Sequence, residues 1–316
     1  MTDELQFVLF SAVIPTITAL FVALPLLRFA PQSVAGRCSL AIATAGAFFV
    51  GYVLLPDWAP LVPARHWHWL PHLAISGAVV GCLSVLVPLP AWGKYLLYLL
   101  LGLLGASQLV PQWDDLEPGR SVMIPLLAAY TALVSLLLAL LPTRLRGKLF
   151  VVLLAATVMC SVPIIAVEGS LMMAQTAFLL VPSLIGCWLA MVLANRGKAQ
   201  EPLSEESLGL ATAGLIPVYA LLSIGGAFVG AIEATERNYV LLLVPASPLV
   251  LWLFAFGPLA RLVGWPAVIA KTIAVAVIPL AIIGYVLATA LLAPESTDEW
   301  SLRLQSPSSA VFVASH

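Results

Sequence analysis

Ten stretches of this chain are almost free of charge, and each approaches the roughly 20 residues a helix needs to cross a hydrocarbon core of about 30 Å. They occupy residues 5–27, 38–55, 72–87, 93–110, 121–141, 149–167, 171–194, 208–232, 239–263 and 265–292. Over the 316 residues, 62% are hydrophobic and 9% charged, with a mean hydropathy of +1.07. Roughly a quarter of a soluble domain is charged, so lipid is the solvent this sequence is built for. Backbone groups in lipid must be satisfied within the fold, which leaves helices or a closed barrel. Barrel strands alternate polar and apolar residues, and none of the ten runs does. The expected fold is therefore all-α, a polytopic transmembrane bundle of about ten spans.

Cations orient such a bundle, because loops that stay on the cytoplasmic side carry the excess of lysine and arginine. With the N-terminus outside, ten cations fall on inner connections or inner helix ends, and four (Arg65, Arg120, Arg237 and Arg303) fall outside. The acids run the other way, twelve outside and three inside. The expected topology is N-out and C-out, in a plasma (inner) membrane of bacterial type. Met1–Glu4 is acidic and the run after it is long enough to span, so no cleaved leader is expected. The membrane domain covers residues 1–292, and the serine-rich segment 293–316 is expected to form a mobile external tail.

Five runs precede the basic connection at 144–148 and five follow it. Two halves, 1–143 and 144–292, would then have opposite orientations, as in the inverted repeats of many secondary transporters. No residue-by-residue repeat accompanies this arrangement.

Chemistry is sparse. Cys38 lies at an inner helix end and Cys82, Cys160 and Cys187 lie inside runs, so they read as packing residues and not as a disulfide framework. Neither CxxC, HExxH, GxSxG nor a P-loop is present. No cofactor is expected, and nothing in the charge pattern fits nucleic acid.

Prolines give the first pointer to function. Inside a helix, proline removes one donor and leaves a carbonyl that lipid cannot satisfy. Pro163, Pro182, Pro217, Pro245, Pro248 and Pro279 put at least one in every run of the second half, and Pro15 puts one in the first run. A pathway is expected among runs six to ten and around the first. Polar side chains inside the runs are few: Tyr130, Tyr219 and Tyr285 at mid-depth with Thr131, Ser135, Ser183, Ser223 and Ser247, and Gln108 and Gln175 nearer the outer surface. Glu168 and Glu233 end their runs at the same surface, where a carboxylate is partly dehydrated. Glu168, Gln175, Tyr130, Tyr219 and Glu233 are the candidate substrate-binding residues.

His66, His68 and His72 stand beside Trp67 and Trp69 in an outer connection. Three imidazoles within seven residues have transition-metal chemistry, but alternation with tryptophan at a helix start is also the pattern of an interfacial aromatic belt. No metal site is assigned, and these three are the candidates if one exists. The string at 113–117 has two aspartates and a glutamate without calcium-loop spacing.

Small residues recur at intervals of four: Gly77 and Gly81, Gly226 and Gly230, and Ala43, Ala47 and Gly51. They permit close helix approach, within the chain or in a homo- or hetero-oligomer. Three function classes fit: a transporter or permease for a small solute, favoured by kinked spans and short loops; a non-catalytic structural or assembly subunit of a membrane complex; and a membrane-embedded enzyme, for which converging catalytic groups are missing. Besides the bilayer, the expected partners are a small-molecule solute or another membrane chain.

Overall fold

The computed structural model describes residues 6, 8–55, 62–113, 116–142, 145, 147–168, 171–196, 204–233, 239–256, 258–262 and 264–292. Ten helices organise it: α1 (Ile14–Phe29), α2 (Val34–Val53), α3 (Leu70–Leu86), α4 (Ala91–Leu109), α5 (Arg120–Ala139), α6 (Gly147–Glu168), α7 (Leu171–Phe178), α8 (Leu180–Asn195), α9 (Glu205–Glu233) and α10 (Gly264–Leu292). Between α9 and α10, Tyr239–Phe254 forms a mixed segment of 3-10 and α turns. No strand occurs among the described residues, and the expected 293–316 tail lies outside them.

Among the described residues, eight helical stretches are long and apolar enough to cross a membrane. The two other runs differ for separate reasons. α4 has 19 residues, but Lys94, Tyr95, Tyr98 and Gln108 dilute its apolar character. Run 239–263 is not one helix: Pro245 and Pro248 each lack an N–H, and the chain takes up 3-10 pairing over Ser247–Phe254. Outward-facing residues are apolar, including Phe21, Val79, Leu100, Leu126 and Ile273, which inverts the arrangement of a water-soluble protein. The chain is a helical protein built for a bilayer.

α9 is the axis of the fold. Glu205 and Glu206 place negative charge in its first turn, where the helix dipole favours it, and Ser204 Oγ accepts from the Ser207 amide at 3.1 Å. Its 29 residues extend about 43 Å, and the whole apolar stretch is buried, against 22% for α1 and for α10. A helix apolar all round must be sheathed on all sides. α2, α3, α4, α5, α6, α7 and the 239–254 segment all pack on it, while α1 is held by α2 and α8, and α10 by α6 and the mixed segment.

Glycines set the closeness of this packing. A Cβ on Gly81 would lie 2.0 Å from the Gly214 carbonyl oxygen, and one on Gly77 would lie 3.0 Å from Val218 Cα. The Gly77–Gly81 face of α3 therefore rests directly on the α9 backbone. Gly51 meets Pro15 and Leu179, and Gly230 meets Ile165. These small-residue faces are used inside the chain. Gly186, against the Thr16 carbonyl at 2.4 Å, and Gly102, against that of Ala128 at 2.7 Å, do the same for α8 on α1 and α4 on α5.

Three runs depart from regular helix where proline is present. Leu9–Val13 forms a π turn just before Pro15. The run over 171–194 breaks at Leu179, because Pro182 cannot donate to the carbonyl four residues back. The third is 239–254. By contrast α6, α9 and α10 continue through Pro163, Pro217 and Pro279. Gly264, with φ of 73°, turns the chain into α10, a left-handed conformation that suits glycine and separates the last two runs as expected.

Candidate functional site

The π turn and the α7/α8 break abut. Thr16 Oγ1 donates to the Ala12 carbonyl at 2.8 Å and approaches the Pro182 carbonyl at 3.2 Å, and Gly51 on α2 lies against both Pro15 and Leu179. Beside this junction is a void of about 10 Å³, room for roughly one water molecule. Its walls come from α2 (Phe48), α3 (Leu70), α6 (Val158, Ser161 and Ile165), the α7/α8 junction (Thr176, Ala177 and Leu180) and α9 (Leu222, Ser223 and Gly226).

The polar atoms of this wall are hydroxyls. Ser223 Oγ donates to the Tyr219 carbonyl at 2.6 Å, and Ser161 Oγ bonds the Thr157 and Val158 carbonyls at 3.1 and 3.0 Å. The Ser161 and Ser223 donors are thus engaged with their own helices. Among the described residues no carboxylate, amine or guanidinium lines it, which suits an uncharged, weakly polar guest. On the α9 side the wall is bare: a Cβ on Gly226 would meet only Ala177, at 3.8 Å.

Gln175 is half-buried next to Thr176. Glu168 ends α6 one turn beyond Ile165, and Glu233 ends α9 two turns beyond Gly226, so their backbones stand above the void. The side chains of both glutamates lie outside the described residues. Ser161 and Thr176 were not singled out in the sequence, and Gly226 only as a packing residue; Pro163 and Pro182, two residues beyond Ser161 and six beyond Thr176, were the available signal.

Neither Tyr130 nor Tyr219 lines the void, and each bonds a carbonyl of the 239–254 segment. Tyr130 Oη donates to the Leu242 carbonyl and Tyr219 Oη to the Pro245 carbonyl at 3.1 Å. In 3-10 pairing a carbonyl at i bonds the amide at i+3. The partner of Pro245 would then be residue 248, a proline, and Tyr219 supplies the donor it lacks; Leu242, the N-cap of the Leu243–Ala246 helical turn, already has a backbone partner and gains a second donor from Tyr130. Trp252 Nε1 adds a bond to the Leu137 carbonyl at 3.2 Å. Ser135 and Ser247, also expected at mid-depth, are buried with unpartnered hydroxyls, and Tyr285 is 53% exposed on the apolar outside.

The three histidines face different neighbours. His68 is buried, its Nδ1 accepting from the Ala64 and Arg65 amides at 3.2 and 3.3 Å, which caps the His66–Trp69 turn. His66 packs edge-on to Trp113 and His72 lies tilted against Trp69. Among the described residues no three His, Cys, Asp or Glu side chains gather as a metal set. Replacing His68 with phenylalanine strands two amide donors, and a loss of about 1–3 kcal/mol is expected in thermal or denaturant unfolding. An unchanged midpoint would refute the capping role.

All four cysteines are free thiols. Cys187 Sγ sits 3.3 Å from Thr44 Oγ1, joining α8 to α2.

A second concavity opens at the same end of the bundle. It is a cleft of about 470 Å³ lined by Pro63, Ala64, Arg65, His66, Trp69, Ser107, Gln108, Val110, Pro111, Gln112 and Arg120. Gln108, expected near the outer surface, belongs to this cleft and not to the void. No protein-family model matches the chain, and no curated protein matches it.

Proposed function

We propose that this protein is a carrier or permease for a small uncharged or weakly polar solute, with ten membrane crossings, N-out and C-out, and two inverted halves of five. The observation that carries the reading is the void between Ser161, Thr176, Ser223 and Gly226, set beside a broken span. Irregular backbone at membrane depth is tolerated where it is buried in protein or lines a cavity, and broken spans line the solute sites of many secondary transporters. Here the helix interruption, the hydroxyls and a bare glycine wall coincide. At this size the void corresponds to a closed state, and passage requires the α7/α8 junction to move away from α9. Gln175, Glu168 and Glu233 are the proposed outer mouth.

The crossing pattern has its own support. α3 packs on α9 and α2 on α8, and each pair relates the same position in the two halves. A second reading, a non-catalytic membrane subunit, is favoured by one observation: the most apolar 18 residues of α9 are fully buried.

Flux separates the readings. Purified protein in phosphatidylcholine liposomes, followed by stopped-flow light scattering with glycerol, urea and water as permeants, is expected to equilibrate at least one of them faster than protein-free liposomes. Gly226→Ala puts one methyl toward the void, meeting only Ala177 at 3.8 Å, and is expected to abolish that excess while leaving the protein folded. No excess flux with any of these permeants would favour the subunit reading.

A further inference from the structure

The larger cleft carries a different chemistry from the void. Arg65 and Arg120 are two of the four cations on a side with twelve acids, and the fold brings both to one concavity with His66, Gln108 and Gln112. The Arg120 Nη2 donates to the Ser107 carbonyl at 2.8 Å, while its Nε is buried and has no partner. Tyr239 Oη bonds the Glu117 carbonyl at 2.8 Å, fixing the connection that leads into α5. Arg120 also opens α5, where backbone amides face outward and the helix dipole favours negative charge.

We infer that this cleft is an oxyanion site, taking a phosphate group. Guanidinium forks match tetrahedral oxyanions with paired donors, the carboxamides of Gln108 and Gln112 supply further N–H donors, and 470 Å³ holds a phosphate together with a small polar substituent. The cleft lies beside Trp69 and Trp113 at the end of the bundle, the level of an aromatic belt, so the same chemistry is available from an anionic lipid headgroup or from a free phosphate ester. The inference does not rest on the carrier reading.

The test uses the full chain. Detergent-purified protein is titrated calorimetrically with inorganic phosphate and glycerol phosphate, and lipid retention is followed by native mass spectrometry from nanodiscs of phosphatidylcholine with and without phosphatidylglycerol. Saturable binding of a soluble phosphate supports the site with a free anion as its source; selective retention of phosphatidylglycerol without soluble binding supports it with a headgroup as its source. Arg65→Gln is expected to weaken either by about tenfold or more. Gln112→Glu, which leaves the Arg120–Ser107 bond in place and adds a repelling charge, should do the same in a protein that unfolds like the parent. Arg261→Gln, at the opposite end, should change nothing. Absence of both kinds of binding overturns the inference, as does binding that survives both cleft substitutions.

Discussion

Gly81→Ala is expected to be among the most damaging single-methyl changes in this chain. Its Cβ would sit 2.0 Å from the Gly214 carbonyl oxygen and 3.0 Å from the carbonyl carbon, so the atoms that must move belong to the backbone of the central helix. A flexible side chain could rotate away; a helix sheathed on every side cannot shift without displacing its other neighbours. Overpacking of an ordinary core costs about 1–3 kcal/mol, and a backbone clash on the axis of the bundle places this substitution at about 3 kcal/mol or more. Gly186→Ala, against the Thr16 carbonyl, should behave similarly. Gly46→Ala and Gly284→Ala are the controls, because an added Cβ meets nothing within 4 Å at either position; their unfolding midpoints should stay within about 0.5 kcal/mol of the parent. The comparison is read from thermal unfolding and monodisperse yield in nanodiscs. Equal tolerance at all four glycines would mean that α3 and α9 are not in contact as described.

The second large effect belongs to the tyrosine pair. Tyr130 and Tyr219 bond the Leu242 and Pro245 carbonyls, and the i+3 partner of Pro245 is a proline. Converting both tyrosines to phenylalanine keeps the rings and removes only the donors. The Pro245 carbonyl is then left without a donor, at about 1–3 kcal/mol, while Leu242 loses its second donor and keeps its place as N-cap of Leu243–Ala246. The sum need not be additive, because both bonds hold one segment. The double variant should show faster amide exchange over residues 239–254 and a lowered unfolding midpoint, with each single variant between it and the parent. The same exchange rate in the double variant and the parent would remove the bracing role.

These two predictions also mark what the sequence disclosed. Apolar length and the absence of alternation were enough for a helical membrane bundle, because lipid allows few solutions to backbone pairing. The Gly264–Pro266 turn was legible because glycine followed closely by proline is strong local punctuation. Where proline would break a helix was not. Pro163, Pro217 and Pro279 are absorbed in continuous helices, while Pro182 and the 245/248 pair are not. The outcome depends on what each freed carbonyl finds beside it, and the donors Tyr130 and Tyr219 come from other parts of the chain.

The candidate site was legible only in outline. Proline positions pointed to runs six to ten and the first, and the void is walled in part by α6, the α7/α8 junction and α9; of the candidate tyrosines neither lines it, and both bond carbonyls of the 239–254 segment. Gln108 and Gln175, alike in expected depth, separate into the phosphate cleft and the void. The spacing of Gly77 and Gly81 announced close packing; that their partner is the backbone of α9 is a fact of tertiary register, for which sequence spacing carries no signal. Arg65 and Arg120 were visible as cations on an acidic side, yet 55 positions apart in the chain nothing local joined them.

The carrier reading turns on whether the void opens to water. A Ser223→Cys variant in a background with Cys38, Cys82, Cys160 and Cys187 replaced, reconstituted in liposomes and treated with a small membrane-impermeant thiol reagent, tests this most directly. Slow, time-dependent labelling is expected from the side that carries Arg65 and Arg120, abolished when Gly226→Ala is added. A thiol that never reacts from either side in folded protein would contradict it, and would identify the bundle as a sealed membrane subunit.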